Sequence, residues 1–277
     1  MNRRSFWAGL TLLLMLPALA PLTANAGSQQ GDVNSEFKKE FDQQQLFAFS
    51  KQVERAAAAQ GAKVFLLARL GRASADLPKG IEFTHTGIAV YSMITTADGQ
   101  SQPGYAIYNL YQQNQDPARS ELVIDYPADF FAGASQLKAG IVIPDKALQQ
   151  RLLAQIQAGG LKSLEVLHND RYSTLANPFN SQFQNCTEFV LDVINAAIYQ
   201  TRDIKQLKAN SKAHFSGQKV NIGGFALTMA AWMMDDLSLA DHDGKVTTAT
   251  FSTIRQYLKN NELLKFEQIL LPDTESE

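Results

Sequence analysis

One cysteine, Cys186, and four histidines are the only thiol and imidazole side chains in the 277 residues. A structural zinc site needs Cys or His ligands in closely spaced pairs. Such domains are therefore excluded, and so is an internal disulfide. Charge of one sign is also lacking: 25 Lys and Arg stand against 27 Asp and Glu. A nucleic-acid binder needs a basic face, and binding to anionic lipid needs a polybasic patch; neither is present. No Gly-x-Ser-x-Gly elbow and no glycine-rich phosphate loop occurs. There is no internal repeat or low-complexity tract. Asp241, His242, Asp243 and Gly244 have the look of a calcium loop, but its first and twelfth ligand positions would be Leu239 and Thr250, so the segment reads as a turn. No metal and no cofactor is implied.

What is present begins at the N-terminus. Arg3 and Arg4 precede an apolar run from Phe6 to about Leu22, and Ala24, Asn25 and Ala26 follow it. A basic start, an apolar middle and a small-residue end make a cleavable export signal over residues 1–26, with cleavage after Ala26. Pro17 and Pro21 interrupt the run, which counts against a single spanning helix of about 20 apolar residues. Gly27 rather than cysteine follows the site, which counts against a lipoprotein. The expected address is the periplasm, with no stable membrane anchor after cleavage. Losing Arg3 and Arg4 leaves 23 basic against 27 acidic residues, a formal charge of −4. In an oxidising compartment thiols tend to be paired, so a lone cysteine there is either sealed in the core or kept as a reactive thiol.

The mature chain, residues 27–277, is long enough for one large domain. Phe37, Phe41, Leu46, Phe49 and Val53 recur at helical spacing within 36–59, and Gln60 and Gly61 end that helix. Strands are expected over 64–70, 82–91, 105–111, 122–124 and 140–143, separated by Gly, Pro and polar turns. A helix is expected over 145–158, and the helix that carries Cys186 follows a polar, aromatic loop over 167–184. Further helices are expected over 203–210, 225–235 and 248–260, with a last strand over 266–271. The fold class is α+β, a central antiparallel sheet with flanking helices. Its motif core spans about 64–200, between the N-terminal helix and a helical extension over 201–277.

The chemistry concentrates at two places. In the run Gln184, Asn185, Cys186, Thr187, Glu188, Asn185 suits an N-cap and Glu188 lies at capping-box spacing. Cys186 then occupies the first turn, where the helix dipole and unpaired N–H groups favour a thiolate and can support an oxyanion. The strand Phe83, Thr84, His85, Thr86, Gly87, Ile88, Ala89 sets His85, Gly87 and Ala89 on one face by alternation. Small neighbours on that face would let a helix end approach, and an imidazole must come within about 3 to 4 Å of a thiol to activate it. Without such a partner, Cys186 reads as a buried structural thiol and His85 as a hydrogen-bonded strand residue. His168, His214 and His242 sit in polar segments and read as surface residues. The stripe Phe225, Leu227, Met229, Trp232 and Met233 reads as core, with an acyl pocket as the alternative.

A His-Thr-Gly-Ile-Ala strand ahead of an Asn-Cys-Thr-Glu-Phe-Val helix start resembles the circularly permuted form of the NlpC-type papain-like cysteine hydrolases, in particular secreted bacterial members of unassigned function. The run Arg171, Tyr172, Asn177, Pro178, Phe179, Asn180 is similar to that family's tyrosine loop before the nucleophile. The likeness spans about 64–197. It implies Cys186 as nucleophile, His85 as general base, and a third, polar residue on the next strand to hold the imidazole. Tyr108 takes that motif position. Asn109 is the better acceptor, but alternation points it the other way unless the strand bulges. Tyr172 matches the loop tyrosine that supports the oxyanion or shapes the pocket, although Leu175 and Ala176 stand where paired glycines often follow. The resemblance implies a periplasmic thiol hydrolase of amide or ester bonds, with cell-wall peptide as the favoured substrate. The alternatives are a lipid acyl hydrolase or acyltransferase on the same pair, and a non-catalytic envelope-binding protein on a degenerate form of the fold.

Overall fold

The computed structural model describes residues 23–25, 41–72, 77, 80–95, 99–220 and 237–273. Most of the expected leader and the stripe over 225–233 lie outside them. Helix α1 (Gln43–Ala59) starts at a reciprocal capping box. The Asp42 carboxylate accepts from the Gln45 N–H at 2.8 Å, and the Gln45 side chain accepts from the Asp42 N–H at 3.0 Å. Two of the donors that a helix start leaves unpaired are thereby satisfied. Phe49, Val53 and Ala57, four residues apart, form its buried stripe. At its end Gly61 takes φ +62°, a left-handed turn that costs glycine little.

The strands are β1 (Thr23–Asn25), β2 (Val64–Leu70), β3 (His85–Thr95), β4 (Ser101–Gln112), β5 (Ser120–Asp125), β6 (Gln136–Pro144), β7 (Gln218–Lys219), β8 (Thr247–Thr248) and β9 (Leu264–Leu270). Six of them form one antiparallel sheet in the order β5-β4-β3-β2-β6-β9. The three residues of β1, within the stretch read as a leader, pair in parallel with Met93–Thr95. Strands β7 and β8 pair separately. The sheet runs close to its sequence expectation, and the central strand 64–70 matches it. The strand expected over 82–91 instead begins at His85 and continues to Thr95.

Helices α2 (Pro127–Ala132), α3 (Lys146–Gln157), α4 (Cys186–Tyr199), α5 (Ile204–His214) and α6 (Phe251–Asn260) complete the described elements with short 3₁₀ turns. The fold is α+β, with helices on both faces of the sheet. Strand β2 is buried along its whole length, because alternate residues serve opposite layers. Val64, Leu66, Ala68 and Leu70 join Ile88, Val90, Tyr108 and Leu110 against α3, α4 and α6. Phe65 and Leu67 join Ala89, Ile107 and Ile141 against α1 and α2. Each of the Val, Leu, Ile and Phe side chains among them contributes about 1.5 to 3 kcal/mol when fully withdrawn from water.

Helix α4 is buried from Cys186 to Ala197, so its polar members must find partners inside. Lys208 Nζ donates to Glu188 Oε1 at 2.7 Å and to Asp192 Oδ2 at 2.7 Å, and Gln184 Nε2 donates to Asp192 Oδ2 at 2.8 Å. Asn195 donates to Ser211 Oγ at 2.9 Å and accepts from Tyr257 Oη at 3.0 Å. Withdrawing charges from water costs several kcal/mol each before pairing offsets it. Burial pushes the Glu188 carboxyl up to about 8; Lys208 opposes this and Asp192 adds to it. An unfolded Glu ionises near 4.3. Between that pH and about 8 the folded chain therefore holds one more proton than the unfolded chain at this site, and Glu188 lowers stability as pH rises through the window. In urea titrations between about pH 5 and about pH 8, wild type should lose stability relative to Glu188→Gln; parallel curves would show that Glu188 ionises normally in the folded state.

Candidate functional site

Asn185 is the N-cap of α4, accepting from the Glu188 N–H at 2.9 Å. The reciprocal half of the expected capping box does not form, because Glu188 is turned inward to Lys208. Asn185 Nδ2 instead donates to Thr174 O at 2.9 Å and Thr248 Oγ1 at 3.2 Å, which ties the helix start to two loops. The turn at Asp241 fastens the same region: its carboxylate accepts from the Asn177 N–H at 2.7 Å, and its carbonyl accepts from Asn177 and Asn180 Nδ2, each at 2.9 Å. His242, expected at the surface, has a buried side chain, 2% exposed, with Nε2 bonded to Leu175 O at 2.8 Å. Among the described residues, no group of three or more His, Cys, Asp or Glu comes together to hold a metal ion.

Cys186 therefore enters from the α3, α4, α6 layer. Its Sγ rests 3.9 Å from Thr84 O and 3.7 Å from Thr187 Oγ1. The ladder between β3 and β4 ends at Ile88–Tyr108, so the backbone of β3 around Thr84 and Thr86 lies beyond the last β4 partner, and that is where the thiol meets the strand. His85 lies between those two residues but projects to the other side. Its ring stacks on Tyr111 at 4.6 Å between centroids and lies 5.5 Å from Phe130 of α2. The expected hydrogen bond between thiol and imidazole is not formed. Alternation is the reason: Ile88 lies in the layer of α4, so His85, three positions before it on the strand, faces the opposite layer of α1 and α2.

The imidazole's partner is Asn109, whose Oδ1 lies 3.2 Å from His85 Nε2. Asn109 Nδ2 donates to Ile107 O and to Asp125 Oδ2, each at 3.0 Å, and Tyr111 Oη donates to the same Asp125 oxygen at 2.6 Å. Tyr108 is not the third residue. It is 1% exposed in the layer packed against α3, α4 and α6, where burial pushes its phenol up to about 12. The antiparallel register Ile88–Tyr108 carries Gly87 opposite Asn109 and so sets Asn109 on the His85 face without a bulge; pairing register is not written in either strand alone. Gly87 does not serve helix approach, as expected, but leaves room for Asn109: a Cβ there would overlap Asn109 Oδ1 and come within 2.7 Å of Ile107 Cγ2. Tyr172 is half-buried against the core layer of α3, α4 and α6 and bridges to Gln184, two residues before the cysteine. Its backbone thus braces the approach to α4.

Arg69, Tyr111 and Asp125 are the residues that sequence reasoning missed. Arg69 is the cross-strand partner of His85; its guanidinium donates to Gly133 O and lies over the Phe130 ring. An arginine inside the apolar run Val64–Leu70 was the available signal, since buried charge is rarely without a role or a partner. Burial, with Arg69 second, holds the His85 imidazole well below its ordinary value, so it is neutral at neutral pH. Burial pushes the Cys186 thiol up, against the opposing effects of the Thr86 and Thr187 backbone, the Thr187 hydroxyl and Arg69. The helix start therefore does not yield the resting thiolate expected from sequence, because Cys186 is 7% exposed and desolvation dominates.

A family model described as an uncharacterized protein conserved in bacteria (DUF2145) matches residues 56–258. The chain belongs to this family. The DUF2145 span runs from within α1 to within α6, and so takes in His85, Asn109, Asp125, Tyr172 and Cys186. No curated protein and no solved structure matches the chain.

With thiol and imidazole both neutral at rest, iodoacetamide should label Cys186 slowly at neutral pH, the rate still rising without a plateau at about pH 9. Mass-spectrometric labelling rates from pH 6 to pH 10 test this. A plateau below about pH 8 would mean that the resting pair is ionised.

Proposed function

We propose that this DUF2145 protein is a periplasmic thiol hydrolase of amide or ester bonds, with cell-wall peptide as the favoured substrate and a permuted papain-like, NlpC-type arrangement of its elements. The observation that carries this reading is the hydrogen-bonded chain from His85 through Asn109 to Asp125, set at the strand end against which the Cys186 thiol rests. In this reading Cys186 is the nucleophile, His85 the base and Asn109 the orienter of the base. The export signal supports the address, and no described helix is long and apolar enough to cross a membrane.

In this mechanism Cys186 leaves its contact with Thr84 O and its proton passes to neutral His85. The sulfur attacks the substrate carbonyl, and the carbon–nitrogen or carbon–oxygen bond breaks as the imidazolium returns a proton to the leaving amine or alcohol. Water, deprotonated by His85, then cleaves the thioester to release the acid and restore the thiol. The low proton affinity of the buried imidazole favours return of the proton to the leaving group. Backbone N–H groups at the start of α4 suit the oxyanion, and Tyr172 helps to shape the approach.

A non-catalytic envelope-binding role is the second reading, favoured by the deep burial of the thiol and by the absence of a bond between Cys186 and His85. The lipid-acyl alternative drew on residues 225–233, which lie outside the described residues. Purified protein should release peptide from muropeptides, and Cys186→Ala and His85→Ala should each lower that rate by at least ~100-fold. Unchanged hydrolysis in Cys186→Ala would overturn the mechanism. A covalent acyl adduct on Cys186 from lipid, and none from muropeptide, would move the substrate to lipid.

A further inference from the structure

The Asn109 amide is nearly symmetric in shape, so its neighbours alone decide which end faces His85. On one side stand two pure acceptors, the Ile107 carbonyl and the Asp125 carboxylate, each 3.0 Å from Nδ2. Turning the amide over would set its oxygen against both. Asn109 and Asp125 are buried, where an unmet or opposed polar group costs about 1 to 3 kcal/mol. Oδ1 is thus held toward the imidazole at 3.2 Å, and an amide oxygen can only accept.

We propose that Asp125 is a positioning residue: it locks the Asn109 amide so that His85 carries its proton on Nε2 and keeps Nδ1 as the unprotonated base atom. Tyr111 secures the lock from two directions. Its hydroxyl donates to Asp125 Oδ2 at 2.6 Å, and its ring stacks on the imidazole at 4.6 Å, 5° from parallel. Asp125 closes β5 opposite Ile107, so one strand end supplies the carboxylate and the next supplies the amide, the carbonyl and the tyrosine. A carboxylate held one residue back fixes the tautomer through a neutral relay and keeps its charge off the ring itself. The tautomer follows from this geometry alone, whereas its use as a base rests on the hydrolase reading above.

The test is nitrogen-15 NMR of the His85 ring in the full chain, assigned by loss of its signals in His85→Gln. Wild type should show a protonated-type shift at Nε2 and an unprotonated-type shift at Nδ1. Asp125→Asn, nearly isosteric, should average or reverse the two. Tyr111→Phe keeps the ring stack but loses the hydroxyl bond, and should shift them the same way to a smaller extent. On muropeptides, Asp125→Asn should lower kcat by on the order of tenfold or more, leaving KM within about twofold. A wild-type ring protonated on Nδ1 overturns the proposal whether or not any variant folds, and so does a folded Asp125→Asn protein with the wild-type tautomer. If the shifts behave as expected while hydrolysis does not depend on Cys186, the positioning role stands and the hydrolase reading falls.

Discussion

The missing Cβ at residue 87 is the constraint on which the polar arrangement depends. Any side chain there would occupy the space of Asn109 Oδ1, and Asn109 is the hinge between His85 on one strand and Asp125 on another. The β3–β4 ladder stops at Ile88–Tyr108. Beside that end an imidazole, an amide and a phenol lie on the α1, α2 side, and a thiol lies on the α4 side.

Burial then sets the chemistry of these groups. Each of them lies under a helix layer, so the neutral forms of His85 and Cys186 are favoured over the ionised ones. A helix start ordinarily stabilises a thiolate, yet here desolvation outweighs the N–H donors and the Arg69 charge. The same competition recurs two residues along α4, where Glu188 is raised despite a lysine at 2.7 Å. Pairing alone does not keep a buried carboxyl ionised, and the cluster of Lys208, Glu188 and Asp192 shares one cation between two acids.

The helix that delivers the cysteine is held from outside the sheet. Asn185, the Asp241 turn, the loop over 174–180 and the Gln184 side chain fix its first turn, and Lys208 reaches it from α5. Two of these contacts, Asn185 to Thr248 and Asn177 to Asp241, link residues more than sixty positions apart, so the placement of the thiol depends on segments well beyond its own helix. The family span to residue 258 includes Asp241 and Thr248.

Much of this was legible in the residues. Alternation, helical spacing and turn chemistry gave the sheet, the helix over 145–158 and the start of α4, because those signals are local and the burial they report is strong. Local patterns also marked Cys186 and His85 as the groups to watch. They could not say which residue of Tyr108 and Asn109 meets the imidazole, or that the cysteine and the histidine approach β3 from opposite sides. Those outcomes follow from strand register, from where the ladder ends and from which layer each helix joins, and these come from contacts between segments far apart in the chain. What the sequence determined by itself was the set of elements and reactive side chains; their neighbours, and through burial their protonation, were decided only by the packed tertiary structure.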